Sequence, residues 1–367
     1  MTLERQVIFW IAALAVFVAV LWLLSDVLLP FVAGMALAYL LDPVARRAER
    51  LGIGRAVSAL TVVTLVIVAL VVAVMAVAPI VAEQFTAFAE KLPGYVTKLQ
   101  SMVSDQSRPW LAKLVGGAES DPGKSVGTLV SQGSGFIVGF LASIWSGGRA
   151  VFSVLSLLII TPVVAFYLLL DFDRVLVTVD GWIPLQHRNT VRALARDIDN
   201  AIAGFVRGQA VICLVLAAFY AIGLTLAGLN FGFLIGLMTG LMSFIPFVGA
   251  LTGFLVAAIV AIAQFWPEWT PILMVAGVFL IGQALEGYVL SPKLVGAKVG
   301  LHPVWMMFAL IAASYLFGFV GLLVAIPLAA TVGVLLRFAL RKYLESPIYT
   351  GRDAGPRDLG PRDLGPG

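Results

Sequence analysis

Two apolar runs in this sequence are too long to be ordinary membrane spans, and both are interrupted near the middle. A run of ~18 or more apolar residues marks a spanning helix. The runs fall at about 7–24, 27–41, 56–80, 151–170, 209–228, 231–263, 272–290 and 303–340. As a single α-helix, 231–263 would reach roughly 50 Å and 303–340 further still, against a hydrocarbon layer of ~30 Å. The first long run contains "SFIPFVGALTGF" (243–254), with Pro246 and Gly249. The second contains "GFVGLLVAIPLA" (318–329), with Gly318, Gly321 and Pro327. Proline lacks the N–H of a helical hydrogen bond, and glycine lets the backbone leave α geometry. Such backbone is tolerated at membrane depth only where protein buries it or water reaches it. Each long run is therefore either a kinked, oblique helix or a hairpin.

Composition fixes the setting: 61% of residues are hydrophobic and 12% charged, which places the chain among polytopic membrane proteins. The block 7–24 follows Arg5 and exceeds the ~7–15 residues of a signal-peptide core, so it reads as an uncleaved first span. Cys213 stands alone, and His187 and His302 lack ligand spacing, so neither disulfide nor zinc site is expected. There is no phosphate-binding loop, no nucleophile elbow and no Cys or His cluster. The sequence points to no cofactor, no metal, no enzyme and no nucleic-acid partner; membrane lipid is the evident surrounding.

Charge chooses between kink and hairpin. "LLDPVARRAERLGIGRA" carries Arg46, Arg47, Arg50 and Arg55, which the positive-inside bias assigns to the cytoplasm. The basic stretch 171–208, with Arg174, Arg188, Arg192, Arg196 and Arg207, reads as a cytoplasmic helical excursion. "QFWPEWT" (264–270) has no Lys or Arg and is external if 231–263 turns back. The next span then delivers Lys293 and Lys298 inside, and the last run must begin inside and end inside at Arg337, Arg341 and Lys342. Only a second hairpin satisfies that. "PFVGAL" (246–251) also echoes "GFVGLL" (318–323). Paired interrupted segments in matching positions point to a transporter binding site. Under the competing reading, two kinked helices pack through glycine; "GFLIGLMTG" offers Gly232, Gly236 and Gly240 as a small-residue face in either case.

The expected fold is thus an all-α polytopic membrane protein of about eight hydrophobic segments. Within it, 231–263 and 303–340 are re-entrant or broken-helix hairpins in inverted orientation. Residues 1–80 form the N-terminal spans and 81–150 an external amphipathic insert, with a helical stripe Phe85, Phe88, Leu92, Tyr95 and Leu99 broken at Pro93. Residues 151–345 form the transmembrane core, and both termini are cytoplasmic. The stretch 346–367 repeats Gly-Pro-Arg-Asp-Leu without apolar periodicity and is expected to be disordered.

Polar groups inside the spans mark the candidate site. Gln283 and Glu286 are three apart, near neighbours on one helical face. A mid-membrane carboxylate usually faces a cavity or a partner, so Glu286 either serves transport, pairs with Lys293, or is simply exposed near a span end. In apolar surroundings a carboxyl can exchange its proton near neutral pH. Asp171 ends the fourth segment, where it opposes the helix dipole and calls for a nearby arginine. Arg207 and Gln209 open the fifth segment, and Pro292 with Lys293 closes the seventh; these are structural or gating candidates. Thr239, Ser243, Thr252, Ser314 and Tyr315 offer hydroxyls to a solute, although back-bonding to helix carbonyls is the commoner fate.

With those residues in view, the sequence resembles the AI-2E (autoinducer-2 exporter) family of bacterial membrane proteins. The resemblance rests on "TPVVAFYLLLD" (161–171), "FVRGQA" (205–210), "IPFVGAL" (245–251), "EGYVLSPKLVG" (286–296), "GLHP" (300–303) and "GFVGLLVAIPLA" (318–329). It implies a bacterial inner-membrane location and a homo-oligomer. It further implies export of a small polar signalling molecule, as in quorum sensing, or sodium/proton antiport as in other members. A coupling ion, H+ or Na+, follows from that resemblance. From a different class, the polar loops could make the protein a non-transporting scaffold.

Overall fold

The computed structural model describes residues 3–104, 148–296, 300–346 and 349; among these, every regular element is helical. By length and apolar composition, six of the described helices can cross a membrane: 27–50, 55–88, 188–226, 248–265, 269–296 and 303–344. Shorter apolar helices accompany them.

The N-terminal helices α1 (Leu3–Leu23), α2 (Ser25–Arg50) and α3 (Arg55–Ser104) precede α4 (Gly148–Trp182). Ala38, Leu41 and Ala45 of α2, Ala59, Val62 and Val63 of α3, and Ala165 and Leu169 of α4 close one buried cluster. Gly34 lets α2 approach α4: a β-carbon there would stand 2.7 Å from Val164. Arg55 fixes the same three helices at one end, donating to the Leu169 carbonyl at 3.0 Å and pairing with Asp173 at 2.8 Å.

A second, larger cluster belongs to the later helices α5 (Arg188–Leu226), α6 (Gly232–Met242), α7 (Val248–Phe265), α8 (Trp269–Ala284) and α9 (Pro303–Leu344). The predicted glycine face of α6 is used as expected. Gly232, Gly236 and Gly240 lie against the backbone of Leu224, Ala221 and Ala217, so α6 runs antiparallel to α5 at backbone contact. Helix α8 also runs antiparallel to α5, with Gly223 against Val278 and Gly282 against Tyr220, and the chain that follows it, 292–296, continues the packing with Leu294 against Gly208.

Both long apolar runs fold back. In the first, Gly253 packs on Thr239 and Gly249 on Ser243, which sets α7 beside α6 in reverse. Gln264 closes the base of this hairpin, accepting from the Asn230 N–H at 2.8 Å and donating to the Gly228 carbonyl at 2.9 Å. In the second, α9 is broken at Gly318 (φ 57°, ψ −135°). Arg337 then reaches the Gly300 carbonyl at 3.3 Å, and Gly333 meets Leu301. An unbroken helix would hold those partners tens of ångströms apart. The base of the first hairpin adjoins the C-terminal end of α5. The base of the second adjoins its arginine-rich N-terminal half, where Arg337 and Arg341 line a cavity with Asp197 and Arg207. The two hairpins therefore approach from opposite ends.

One expectation needs correcting. Helix α3 does not break at Pro93 but continues through Pro79 and Pro93 to Ser104. Pro93 is exposed, so the carbonyl its ring displaces is not stranded in a core. The contacts on either side hold the helix in line. Gln84 accepts from the Leu234 N–H at 3.0 Å, and Phe88 meets Phe231 edge-on at 5.4 Å. The Tyr95 hydroxyl accepts from Asn230 at 3.3 Å, and Lys98 donates to the Ala263 carbonyl at 2.6 Å. The start of the expected insert is thus a continuous helix docked on the base of the first hairpin. Its remainder, 105–147, and the tail beyond Tyr349 lie outside the described residues.

Candidate transport site

The tip of the first hairpin is the turn between Met242 and Val248. Its chain reversal uses Phe247 in the left-handed region (φ 69°), an unfavourable conformation for a bulky side chain. Pro246 is half-buried beside it, and Gly249 is buried with no room for a β-carbon against the Ser243 amide. The second tip repeats the device. Gly318 supplies the left-handed residue, and Gly321 is buried against the Ala313 carbonyl, again leaving no space for a side chain. Gly249 and Gly321, equivalent in the sequence echo, do the same work of letting the returning arm close on the outgoing one. Pro327 lies further along the second arm, half-buried, and Thr331 donates to its carbonyl at 2.9 Å.

The two hairpins meet. Ile245, at the first tip, is buried together with Leu310 and Ala313 of one arm of the second hairpin and Ala325 of the other. The first tip is also latched from the side: Gln209, 4% exposed, donates to the Ser243 carbonyl at 2.6 Å. Thr239, Ser243 and Thr252 spend their hydroxyls on the carbonyls of Ile235, Thr239 and Val248 at 2.6, 2.9 and 2.7 Å. They are helix-bonded, as their type favours.

Gln209, Cys213, Leu216 and Tyr220 lie at helical spacing on one buried face of α5. Opposite that face, α8 loses α geometry. Leu285–Leu290 and Pro292–Gly296 are π-helical, a form found mostly as short insertions and often at functional sites. Glu286 sits in the first of these stretches, half-buried, where that stretch packs against α5. Gln283, one turn earlier, is exposed. The structure thus brings Glu286 to the α5 face that also latches the first tip, while Gly318 lies exposed at the far end of the second hairpin. No ion pair joins Glu286 to Lys293 among the described residues, and Lys293 is exposed.

Tyr220 escaped the sequence reading. Its ring is fully buried, stacked on Phe279 at 4.9 Å, and its hydroxyl abuts Gly282 without a hydrogen-bond partner among the described residues. A tyrosine in an apolar run carries no signal of which way its hydroxyl points; the antiparallel packing of α8 on α5 decides it.

The remaining candidates cluster at the arginine-rich end. Arg207 donates to the Tyr39 carbonyl at 2.8 Å and to Asp42 at 3.5 Å, joining α5 to α2. With Asp199 and Arg46 these groups line a cavity of about 240 Å³. Asp171 faces Arg174 at 3.8 Å, a partner of the kind expected. Asp180, at the end of α4, accepts from Arg192 and Arg188 and pins the turn into α5. Those guanidiniums, Arg192 first, hold its carboxyl well below the usual carboxylate range.

This architecture defines a polytopic helical membrane protein built around two opposed, broken hairpins. A family model described as AI-2E family transporter matches residues 11–341, and the chain belongs to that family. It is a membrane protein of a bacterial transporter family. Over 328 residues it is 26% identical to "Putative transport protein YrrI" of Bacillus subtilis (strain 168), covering 88% of this chain and 90% of that one. It is 28% identical over 314 residues to "Putative transport protein YueF" of the same strain, covering 84% and 83%. Against "Putative permease PerM" of Escherichia coli (strain K12) the identity is 26% over 326 residues, covering 88% and 91%.

Proposed function

We infer that the protein is a secondary transporter that exports a small polar solute, such as the autoinducer-2 signalling molecule, at the expense of an ion gradient. The observation that carries this reading is the meeting of two opposed hairpins at Ile245, each with a left-handed break at its tip. Broken backbone of this kind presents amides and carbonyls to a solute and stays buried in protein otherwise. The transport and permease names of the relatives support the same class. On this reading Pro246, Gly249, Gly318 and Gly321 shape the site, and Gln283 and Glu286 stand at its edge.

The grouping of the early and the later helices into different buried clusters, beside the small one at Ile245, supports a carrier. One joins α2, α3 and α4, and the other joins α5 to α9 with Phe88 of α3. The hairpin unit slides against a scaffold of the first spans to alternate access. Both termini lie in the cytoplasm on this reading, supported by the arginine-rich end of α2 and the arginine-rich N-terminal half of α5, which Arg207 joins through Tyr39 and Asp42. The working unit is a homo-oligomer.

Saturable counterflow of a candidate solute in proteoliposomes tests the proposal. A channel gives non-saturating flux without counterflow, and a scaffold gives no flux. Sodium/proton antiport is the second reading, favoured by the placement of Glu286 in π-helical backbone. There, Glu286→Gln abolishes pH-dependent sodium flux; unchanged flux removes Glu286 from the mechanism.

A further inference from the structure

Between the N-terminal half of α5 and the C-terminal end of α9 lies an open cavity of about 630 Å³. Ala201 and Gly204 leave room on the α5 side, and Asp197, Arg207, Arg337 and Arg341 bring charge to the walls. Arg337 and Arg341 are one turn apart on the same face of α9. Arg207 shares its charge with Asp42, and Arg337 bonds the Gly300 carbonyl. Arg341 makes no ion pair among the described residues; its guanidinium lies 5.9 Å from the Phe338 ring centre. Asp197, also without an ion pair among them, offsets one of these charges, and the remaining guanidiniums leave the cavity net positive.

We propose that this cavity binds the phosphate of an acidic phospholipid, which ties the base of the second hairpin to α5. Guanidinium groups bond phosphate oxygens in pairs, and a pocket with two of them on adjacent turns suits that geometry. The position selects lipid over a soluble anion. Leu335, Leu336 and Leu340, on the same turns of α9, are exposed, and the apolar run ends at Arg341 and Lys342. The guanidiniums therefore stand where apolar helix surface gives way to charge, the level of a headgroup. Basic pockets between spanning helices hold headgroups in this manner.

The full chain, purified in neutral detergent, is incubated with equal amounts of phosphatidylglycerol and phosphatidylcholine, and retained lipid is read by native mass spectrometry. Wild-type protein retains phosphatidylglycerol in preference, and Arg341→Gln lowers that preference about tenfold, the effect of losing one charge-assisted contact. Arg341 has no side-chain hydrogen bond among the described residues, so its loss leaves the helices in place; Arg341→Lys, checked in parallel, restores part of the preference. Equal retention of the two lipids by the wild type overturns the proposal. So does displacement of the retained lipid by millimolar inorganic phosphate, which assigns the cavity to a soluble oxyanion. An unchanged preference in Arg341→Gln places the lipid elsewhere and also overturns it.

Discussion

Two buried polar side chains lie on one face of α5, Gln209 beside the first tip and Tyr220 about three turns further on against Gly282. Gln209 holds the Ser243 carbonyl, so Gln209→Leu leaves a buried acceptor unpaired at a cost of about 1–3 kcal/mol. Thermal unfolding in detergent should register that loss, and a thiol introduced at Phe247 should become more reactive as the tip loosens. Tyr220 poses the opposite case. Its hydroxyl is buried without a partner among the described residues, and an orphan of that kind is removed without penalty when it has no task. Tyr220→Phe should therefore raise the unfolding midpoint. If the hydroxyl serves the passing solute, the same variant slows counterflow; an unchanged rate with a raised midpoint reduces Tyr220 to packing.

At the scale of elements, glycine positions divide by what surrounds them. Gly249 and Gly321 face backbone at close quarters, and Gly240 faces Ala217, so Gly→Ala at each forces helices apart. Gly277 faces open space in mid-helix, and Gly277→Ala should be neutral or stabilising by up to ~1 kcal/mol. Expression and unfolding midpoints of the four variants check this ordering. The link between α4 and α5 has a pH dependence of known sign. Because Arg192 and Arg188 depress the carboxyl of Asp180, the link is intact above the ordinary carboxylate range and fails only as pH falls through the lowered value. Hydrogen exchange at 183–187, corrected for intrinsic rates, should stay flat from pH 7 to pH 5, whereas Asp180→Asn should raise it at pH 7. Much of this level was legible in the sequence. The hairpins followed from where Lys and Arg fall, and the α6 glycine face from its four-residue spacing. The continuity of α3 through Pro93 was not legible, because it depends on Gln84, Phe88, Tyr95 and Lys98 finding partners more than a hundred residues away. The absence of a Glu286–Lys293 pair was equally hidden: sequence spacing assumes α geometry, and the backbone that carries both residues is π-helical.

Across the whole molecule, the α2–α4 cluster and the α5–α9 cluster are joined through Phe88 of α3, with Ala36 and Tyr39 of α2 packed against the latter, and Arg207 adds polar bonds between them. In a Cys213→Ser background, paired Ile245→Cys and Leu310→Cys substitutions allow the hairpins to be joined by a short thiol cross-linker. Joining them should stop counterflow, and cleaving the linker should restore it; undiminished flux in the joined protein would remove hairpin movement from the transport cycle. The docking of α3 has a final implication. The first hairpin is moored at its root through Gln84, Tyr95 and Lys98, whereas the root of the second is tied by Arg337 to its own opening residues. Loosening the last turns of α3 should therefore unsettle the first hairpin before the second, whose returning arm is held in the α5 cluster by Ile326 and Ala330.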